Sequence, residues 1–248
     1  MADAVGLDIG TSAVRAAEID VGATPPELLR FGQVGLTPGS VIDGEVRDVT
    51  AVASALQRLW QNGGFSSKSV VVGIAGPRAI TREMDIQYVP DDEIEGVLRF
   101  QSEEVIPFPP DRTSLGAQVL ADYQTPDGQK MRRILVGAAH RDLVDGVVAA
   151  VGQAGLELVG IDLVPFALLR AMTDATSMAG QPEVLVSVGA GLTIVMVHQA
   201  GVPQLVRTIA TGGSAVTGSI AGSLDLPFAD AESLKKRLGE PIPQIQAA

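Results

Sequence analysis

A group of residues suited to binding phosphate follows the first apolar run of the sequence. Residues 5–9 contain Asp8, and the chain then turns through Gly10, Thr11 and Ser12. A glycine lets the backbone approach an anion closely, turn N–H groups point at phosphate oxygens, and the hydroxyls add donors. Asp8 at the strand end is placed to meet a hydrated Mg²⁺, because such ions are usually held by one or two carboxylates and keep several waters.

A second segment of the same kind lies far downstream. Residues 184–193 again show an apolar strand, a glycine turn and a return strand, with Gly189, Gly191 and Thr193 in or beside the turn. Ser187 stands where the first segment has its aspartate. One such turn is common in ordinary hairpins, whereas two favour a duplicated architecture that binds phosphate between the copies.

Two further features follow the second turn. Gly212 and Gly213 come directly after a strand-like run, and Glu232 and Lys235 sit three apart in a helix-forming segment. Residues at this spacing share a helix face and commonly form a solvated ion pair. A structural ion pair and a contribution to a nucleotide site are therefore both open.

The sequence predicts that the elements around the first motif follow one another in the order β-β-β-α-β. The hairpin is followed by a strand over residues 28–34, a helix capped by Asp48 or Thr50, and a β-branched strand over residues 69–75. This order predicts a sheet with a helix packed on it.

Residues 81–154 repeat the pattern more loosely and predict an inserted subdomain. We expect strands at 81–87, 115–123 and 133–139, and a helix capped by Asp91. The apolar faces of the two predicted helices are Ile94, Val97, Leu98 and Val105 in the first, and Leu143, Val144, Val147, Val148 and Val151 in the second.

Composition excludes several classes of function. The chain has 248 residues, no cysteine and a net charge of -11, which argues against a disulfide framework and against nucleic-acid binding. His140 and His198 lack partners at zinc-ligand spacing, and no serine lies in a Gly-x-Ser-x-Gly elbow. The sequence predicts no span long enough to cross a bilayer.

The chain resembles the actin-like ATPase superfamily, and within it the PilM-type family of type IV pilus assembly, which is related to FtsA. Residues 5–19 and 187–193 look like the two phosphate motifs of the superfamily. The runs 38–44, 100–108 and 118–120 are similar to the PilM type in order and spacing. The resemblance implies an α/β, ribonuclease H-like fold, with subdomain 1A at residues 1–80 and 156–180. It further implies a 1C-type insertion at 81–155, and a partial 2A with the start of 2B at 181–248.

The resemblance also implies a function. It predicts a cytoplasmic scaffold, peripheral at the inner face of the membrane, that binds ATP structurally and grips the cytoplasmic tail of a PilN-like protein. Pilus assembly ATPases are a further class of partner, and no nucleic acid or direct membrane insertion is expected. Asp8 is the expected Mg²⁺ contact. The expected nucleotide-binding residues are Asp8, Gly10, Thr11, Ser12, Gly189, Gly191, Thr193, Gly212, Gly213, Glu232 and Lys235.

Two departures from the family limit this interpretation. Ser187 replaces a carboxylate of the second phosphate motif, so at most weak ATPase activity is expected and enzyme status stays open. Family members continue through subdomain 2B and return with a second Gly-Gly segment at the adenine site, so the second half is expected to be incomplete here. A shortened gene, a shortened product and a reduced paralogue all fit. The rival function is a sugar-kinase-like or other active ATPase.

Overall fold

The computed structural model describes residues 4–101, 106–172 and 180–237. The predicted helix residue Val105 and the acidic residues Glu103 and Glu104 lie outside these ranges. So do residues 177–179 of a linker that the sequence predicts at residues 177–182.

Runs of strands are separated by helices along the described part of the chain. The strands are β1 Ala4–Ile9, β2 Ala13–Asp20, β3 Glu27–Gly35, β4 Val41–Ile42, β5 Glu45–Val46, β6 Ser69–Ile74, β7 Ala79–Gln87, β8 Thr113–Gln124, β9 Lys130–His140, β10 Glu157–Leu163, β11 Pro182–Val188, β12 Thr193–Gln199 and β13 Val202–Ile209. The helices are α1 Val49–Gly63, α2 Ile94–Gln101, α3 Arg141–Gln153, α4 Val164–Met172, α5 Gly213–Leu224 and α6 Phe228–Lys236.

The first sheet has five strands in the order β10-β6-β1-β2-β3. The first three strands of the chain form an antiparallel meander, and β6 and β10 extend the sheet in parallel on the other side of β1. One face is covered by α1 and α3, whose Leu56, Leu59 and Val151 are at most 1% exposed. The opposite face carries Gly6 and Asp8 of the predicted first phosphate motif.

Of the two predicted caps of α1, the structure selects Asp48. Asp48 caps the helix by accepting a hydrogen bond of 2.9 Å from the Ala51 N–H, and Thr50 lies inside the helix. The helix ends at Gly63 and is followed by Gly64, whose φ of 64° is in the left-handed region that favours glycine.

A second core belongs to the sheet β7-β9-β8 and to α2. Its buried side chains include Ile86, Leu98 and Ile134. The predicted Asp91 cap is wrong, because the helix begins without a side-chain cap. The Asp91 carboxylate instead contacts the buried Arg132 at 2.5 Å.

Helix α3 differs from its prediction in two respects. The sequence interpretation grouped residues 141–153 with the insertion, whereas Leu143, Val147 and Val151 are buried in the first core. Val148 is 46% exposed and lies off the buried face. The subdomain boundaries themselves stay a prediction.

The third sheet is the antiparallel meander β11-β12-β13. Helices α5 and α6 follow it and pack against each other. This unit brings the second predicted phosphate motif into contact with the first, at Gly191 and Thr11.

Candidate functional site

The two predicted phosphate motifs are hairpin turns of the same construction. In the first, the N–H of Gly10 donates to the carbonyl of Ala13 at 3.0 Å, and in the second the N–H of Gly189 donates to the carbonyl of Leu192 at 2.8 Å. The matching hydrogen bonds align the turns residue by residue. The internal repeat in the sequence is thus a repeat in structure.

The tips of the two hairpins touch. A Cβ atom added to Gly191 would lie 2.5 Å from Oγ1 and 3.0 Å from Cγ2 of Thr11, closer than side-chain carbons approach other atoms. A side chain at position 191 would collide with the Thr11 side chain unless Thr11 moved, so glycine permits this close contact between the hairpins. The contact fixes the relative position of Thr11 and the second turn.

A cleft of about 710 Å³ opens beside this contact. It is lined by backbone and side chains of both turns and by parts of the first sheet and α4. The predicted site residues on its wall are Asp8, Gly10, Thr11, Ser12, Gly189 and Gly191, together with Ser187.

Asp8 is paired with a cation that sequence reasoning missed. Its Oδ2 atom accepts a hydrogen bond of 3.0 Å from Arg15, whose Nε donates to Gln33 Oε1 at 3.0 Å. Both side chains are partly exposed to the cleft, at 48% for Asp8 and 38% for Arg15. The tight turn could have revealed this pair, because it sets Asp8 directly opposite Arg15 in the β1–β2 register.

A second carboxylate on the cleft wall was also missed. Asp162 at the end of β10 is opposite Gly73 of β6, and Gly73 is in turn opposite Asp8 of β1. The two carboxylates therefore sit on one face of the sheet, two strands and about 10 Å apart. Asp162 Oδ1 accepts from the Leu163 N–H at 2.8 Å, and its other oxygen contacts Arg170. The ends of neighbouring parallel strands were the available signal.

These carboxylates fit a hydrated magnesium ion. Both supply hard oxygen donors, and each keeps part of its side chain accessible, 48% for Asp8 and 30% for Asp162. Each is balanced by an arginine, which is the partner that a metal–phosphate group would replace or share. Among the described residues, no cluster of three or more acidic or histidine side chains forms a closed metal cage.

The Gly-Gly segment, Gly212 and Gly213, packs against the turn of the second hairpin. The N–H groups of Gly213 and Ser214 donate to the carbonyls of Gly189 and Ala190 at 2.9 and 2.8 Å. A Cβ on Gly212 would lie 2.3 Å from the Gly189 carbonyl oxygen. The start of α5 is thereby held against the turn, and the predicted contact of Gly212 and Gly213 with phosphate stays a prediction.

Glu232 and Lys235 form a partly buried network rather than a solvated pair. The Lys235 ammonium lies 2.6 Å from the Glu232 carboxylate and donates to the carbonyl of Gly213 at 3.0 Å. The Thr217 hydroxyl bonds to both side chains. The hydrogen bonds from Lys235 and Thr217 lower the pKa of Glu232 to about 2. The network connects α6 to the start of α5, and its residues do not line the 710 Å³ cleft.

The predicted site residue Thr193 has an internal partner, and the two histidines that the sequence analysis set aside have a local role or no partner. The Thr193 hydroxyl donates to the Thr211 carbonyl at 2.8 Å and stabilises the meander. His140 Nδ1 accepts from the Asp142 N–H at 3.3 Å and caps α3. His198 is buried on β12, and its ring nitrogens have no hydrogen-bond partner among the described residues.

The architecture identifies the class of protein. A β3-β2-β1-β6-β10 sheet, a second meander that repeats its first three strands, and facing glycine turns define the actin-like fold. A solved structure of ethanolamine utilization protein EutJ from Carboxydothermus hydrogenoformans shares this fold, with a TM-score of 0.58 and 19% identity, over 95% of this chain and 62% of that chain.

A family model described as type IV pilus assembly protein PilM matches residues 6–244. The chain belongs to this family, as its resemblance predicted. The solved PilM–PilN type IV pilus biogenesis complex matches with a TM-score of 0.82 and 27% identity, over 95% of this chain and 69% of that chain.

Among curated relatives, the cell division protein FtsA of Streptococcus pneumoniae serotype 2 (strain D39 / NCTC 7466) is 27% identical over 264 residues. The match covers 97% of this chain and 56% of FtsA. The chain thus spans little more than half the length of that relative. Among the described residues, no helix is long and apolar enough to cross a membrane.

Proposed function

We propose that this protein is a nucleotide-binding scaffold of type IV pilus assembly that holds the cytoplasmic tail of a PilN-like membrane protein. The observation that carries the proposal is the family match over residues 6–244, together with the likeness to the solved PilM–PilN complex. In this proposal the chain works in the cytoplasm at the inner face of the membrane, and pilus assembly ATPases are further partners.

The nucleotide would lie with its phosphates between the two hairpins. Arg15 supplies positive charge on the cleft wall, and the Thr11 and Ser12 hydroxyls supply donors. Asp8 and Asp162 would hold the waters of a Mg²⁺ ion, which neutralises phosphate charge when bound. The role is structural: a bound nucleotide would tie the first sheet to the second hairpin.

The tail would lie in a separate groove of about 430 Å³ at the base of the insertion. Its wall combines the apolar side chains Ile106, Phe108 and Leu115 with the charged side chains Glu95, Arg99 and Arg141. Arg99 donates a hydrogen bond of 2.8 Å to Glu95. The groove therefore offers a bound peptide both apolar contacts and charged groups. The net charge of -11 suits a tail flanked by the basic residues that mark cytoplasmic ends of membrane spans.

A binding experiment tests the tail site. A labelled peptide of the cognate PilN-like tail should bind in fluorescence anisotropy with a Kd of roughly tens of micromolar or tighter. Ser114→Arg, which places a long side chain in the groove, should weaken binding at least tenfold. Gln118→Arg changes an exposed residue of the same strand outside the groove and is the matched control. Equal affinity of both variants, or no binding to folded protein, would contradict the tail site.

The alternative is an active enzyme of the same superfamily. Asp8 and Asp162 on one face of the cleft are the observation that favours it. The scaffold is preferred because Ser187 provides no carboxylate in the second turn.

A further inference from the structure

The groove at the base of the insertion carries one positive charge that the protein leaves unpaired. Of the three charged side chains in its wall, Glu95 and Arg99 neutralise each other through a hydrogen bond of 2.8 Å. Within the described ranges, the side chain of the third, Arg141, has no hydrogen bond and no ion pair. The charge of the groove wall is therefore positive at Arg141, although the net charge of the chain is -11.

The carboxylate that follows Arg141 in the sequence is engaged elsewhere. Asp142 lies 3.5 Å from Arg78 and 3.7 Å from Arg112. Arg78 in turn pairs with the buried Glu45 at 2.8 Å. Adjacent residues of a helix do not face each other, so Asp142 is not a partner for Arg141. The charge of Arg141 is left to a group from outside the chain.

The backbone on both sides of Arg141 is fixed. The N–H of His140 donates to the carbonyl of Arg78 at 3.0 Å. The ring of His140 is buried, and its Nδ1 accepts from the N–H of Asp142 at 3.3 Å. Because these bonds exist without a ligand, binding at Arg141 requires only its own side chain to become ordered.

The apolar wall of the groove begins next to Arg141. The Phe108 ring packs edge-on against His140, with ring centroids 6.2 Å apart. Thr113 is opposite His140 in the β8–β9 register, and Leu115 follows two residues later, about 7 Å along the strand. A short extended segment can therefore contact the apolar wall and Arg141 at the same time.

We propose that Arg141 determines the specificity of this groove by pairing with a carboxylate of the bound polypeptide. The ligand class is a segment that carries an acidic side chain close to an apolar one. A guanidinium matches a carboxylate with two parallel hydrogen bonds, which a neutral amide cannot reproduce. The inference rests on the proposed function, in which this groove holds the PilN-like tail.

A small free anion fits the groove less well than a polypeptide. Arg141 is the one unpaired cation that the described part of the wall provides, and much of the remaining wall is apolar. The apolar side chains Ile106, Phe108 and Leu115 supply contacts that only the rest of a peptide can use.

Fluorescence anisotropy with the full 248-residue chain tests the inference. The probes are labelled peptides of the cognate PilN-like tail in which each position in turn is Asp, Asn or Lys. At one position, the Asp peptide should bind about three- to tenfold more tightly than the Asn peptide. This range is expected for a charged hydrogen bond that stays partly in solvent. Asp and Asn have nearly the same shape, so their comparison isolates the charge.

Substitutions of Arg141 should change this preference in a direction set by charge. Arg141→Gln should bind the Asp and Asn peptides equally, and Arg141→Glu should bind the Lys peptide more tightly than the Asp peptide. A merely structural role of Arg141 would weaken all peptides alike and would reverse no preference. Arg58→Glu, an exposed arginine of α1 outside the groove, is the matched control and should keep the preference for Asp. Circular dichroism reports whether the variants fold.

The outcomes separate this inference from the proposed function. If the tail binds and Ser114→Arg blocks it, but no position prefers Asp, the tail site stands and recognition of a carboxylate is wrong. A preference for Asp that persists in Arg141→Glu would assign it to another cation and would also overturn the inference. If no peptide of the set binds the folded chain, the tail site and the inference fail together.

Discussion

At the scale of single residues, the cleft contains a motif that can be recognised in the sequence and charged side chains around it that cannot. Asp8, Gly10 and Thr11 are recognisable from spacing in a strand and turn. Arg15 and Asp162 are recognisable only once strand register places them on the same wall. Their arginine and carboxylate groups set the charge that a phosphate would meet.

Replacing Asp8 tests this charge balance. Asp8→Asn removes a negative charge beside Arg15, so affinity for Mg-ATP should fall at least tenfold through loss of the metal contact. In EDTA, ATP should bind the variant as well as or better than the unmodified chain, because Arg15 is then unpaired. Calorimetry with and without Mg²⁺ measures both, with Asp92→Asn, on an exposed acid of the insertion, as control. Equal Mg-ATP affinity in variant and unmodified protein would remove Asp8 from the site.

A buried carboxylate makes stability depend on pH. Glu18 is fully buried, accepts hydrogen bonds from Ser66 and pairs with Arg30 at 2.8 Å. Burial alone would raise the pKa of Glu18, but the bonds from Ser66 and Arg30 outweigh it and lower that pKa. The folded-state pKa therefore lies below the unfolded value of about 4.3. The stabilisation is present above that value and is lost as pH falls below it.

Glu18→Gln should accordingly lower the free energy of unfolding by roughly 1–3 kcal/mol at pH 7, because a hydrogen-bonded charge is lost while Arg30 stays. The difference from the unmodified chain should shrink as pH falls below about 4.3. Urea unfolding at several pH values measures it, with Glu27→Gln, an exposed residue of β3, as control. A difference that is constant from pH 7 to pH 3 would show that the charge of Glu18 is unimportant.

At the scale of elements, the sequence predicted the features that depend on neighbouring residues alone. The hairpins, the Asp48 cap and the β-β-β-α-β order of elements along the chain follow from alternation, turn glycines and capping chemistry. Three features depended on tertiary contacts instead. Asp91 pairs with Arg132 of a distant strand rather than capping α2. Helix α3 packs on α1 rather than within the insertion, and Val148 turns away from that contact.

The Gly-Gly segment gives a matched pair of substitutions. Gly212→Ala should destabilise the protein by roughly 1–3 kcal/mol, because its methyl group would collide with the Gly189 carbonyl. Gly218→Ala lies in α5 with nothing within 4 Å of the added carbon. It should stabilise by roughly 0.5–1 kcal/mol through lower chain entropy. Denaturant unfolding measures both, and equal effects of the two substitutions would contradict the close contact of α5 with the second hairpin.

At the scale of the whole molecule, two sheets bury their apolar side chains and the third leaves one apolar face exposed. The first sheet and the insertion each bury a continuous set of apolar side chains, while the third sheet leaves Val184, Val186 and Val188 exposed. No pattern in the sequence distinguishes Val184 from Val5, because both belong to alternating strands before a glycine turn. The difference lies in which other segments cover them.

Whether the protein hydrolyses ATP also depends on how the whole cleft is assembled. Phosphoryl transfer to water needs a group that positions the water and charge that is balanced at the γ-phosphate. Ser187 in the second turn supplies a hydroxyl without charge, and the carboxylate of Asp162 is held by Arg170 and the Leu163 N–H. We expect ATP hydrolysis far below the ordinary enzymatic range of about 1–10³ per second, with or without the tail peptide.

Ser187→Asp alone should leave the hydrolysis rate below this range, because the added carboxylate does not free Asp162. Steady-state phosphate release measures this, with Asp8→Asn reporting contaminating activity. Turnover within the enzymatic range that Asp8→Asn abolishes would favour the enzyme over the scaffold.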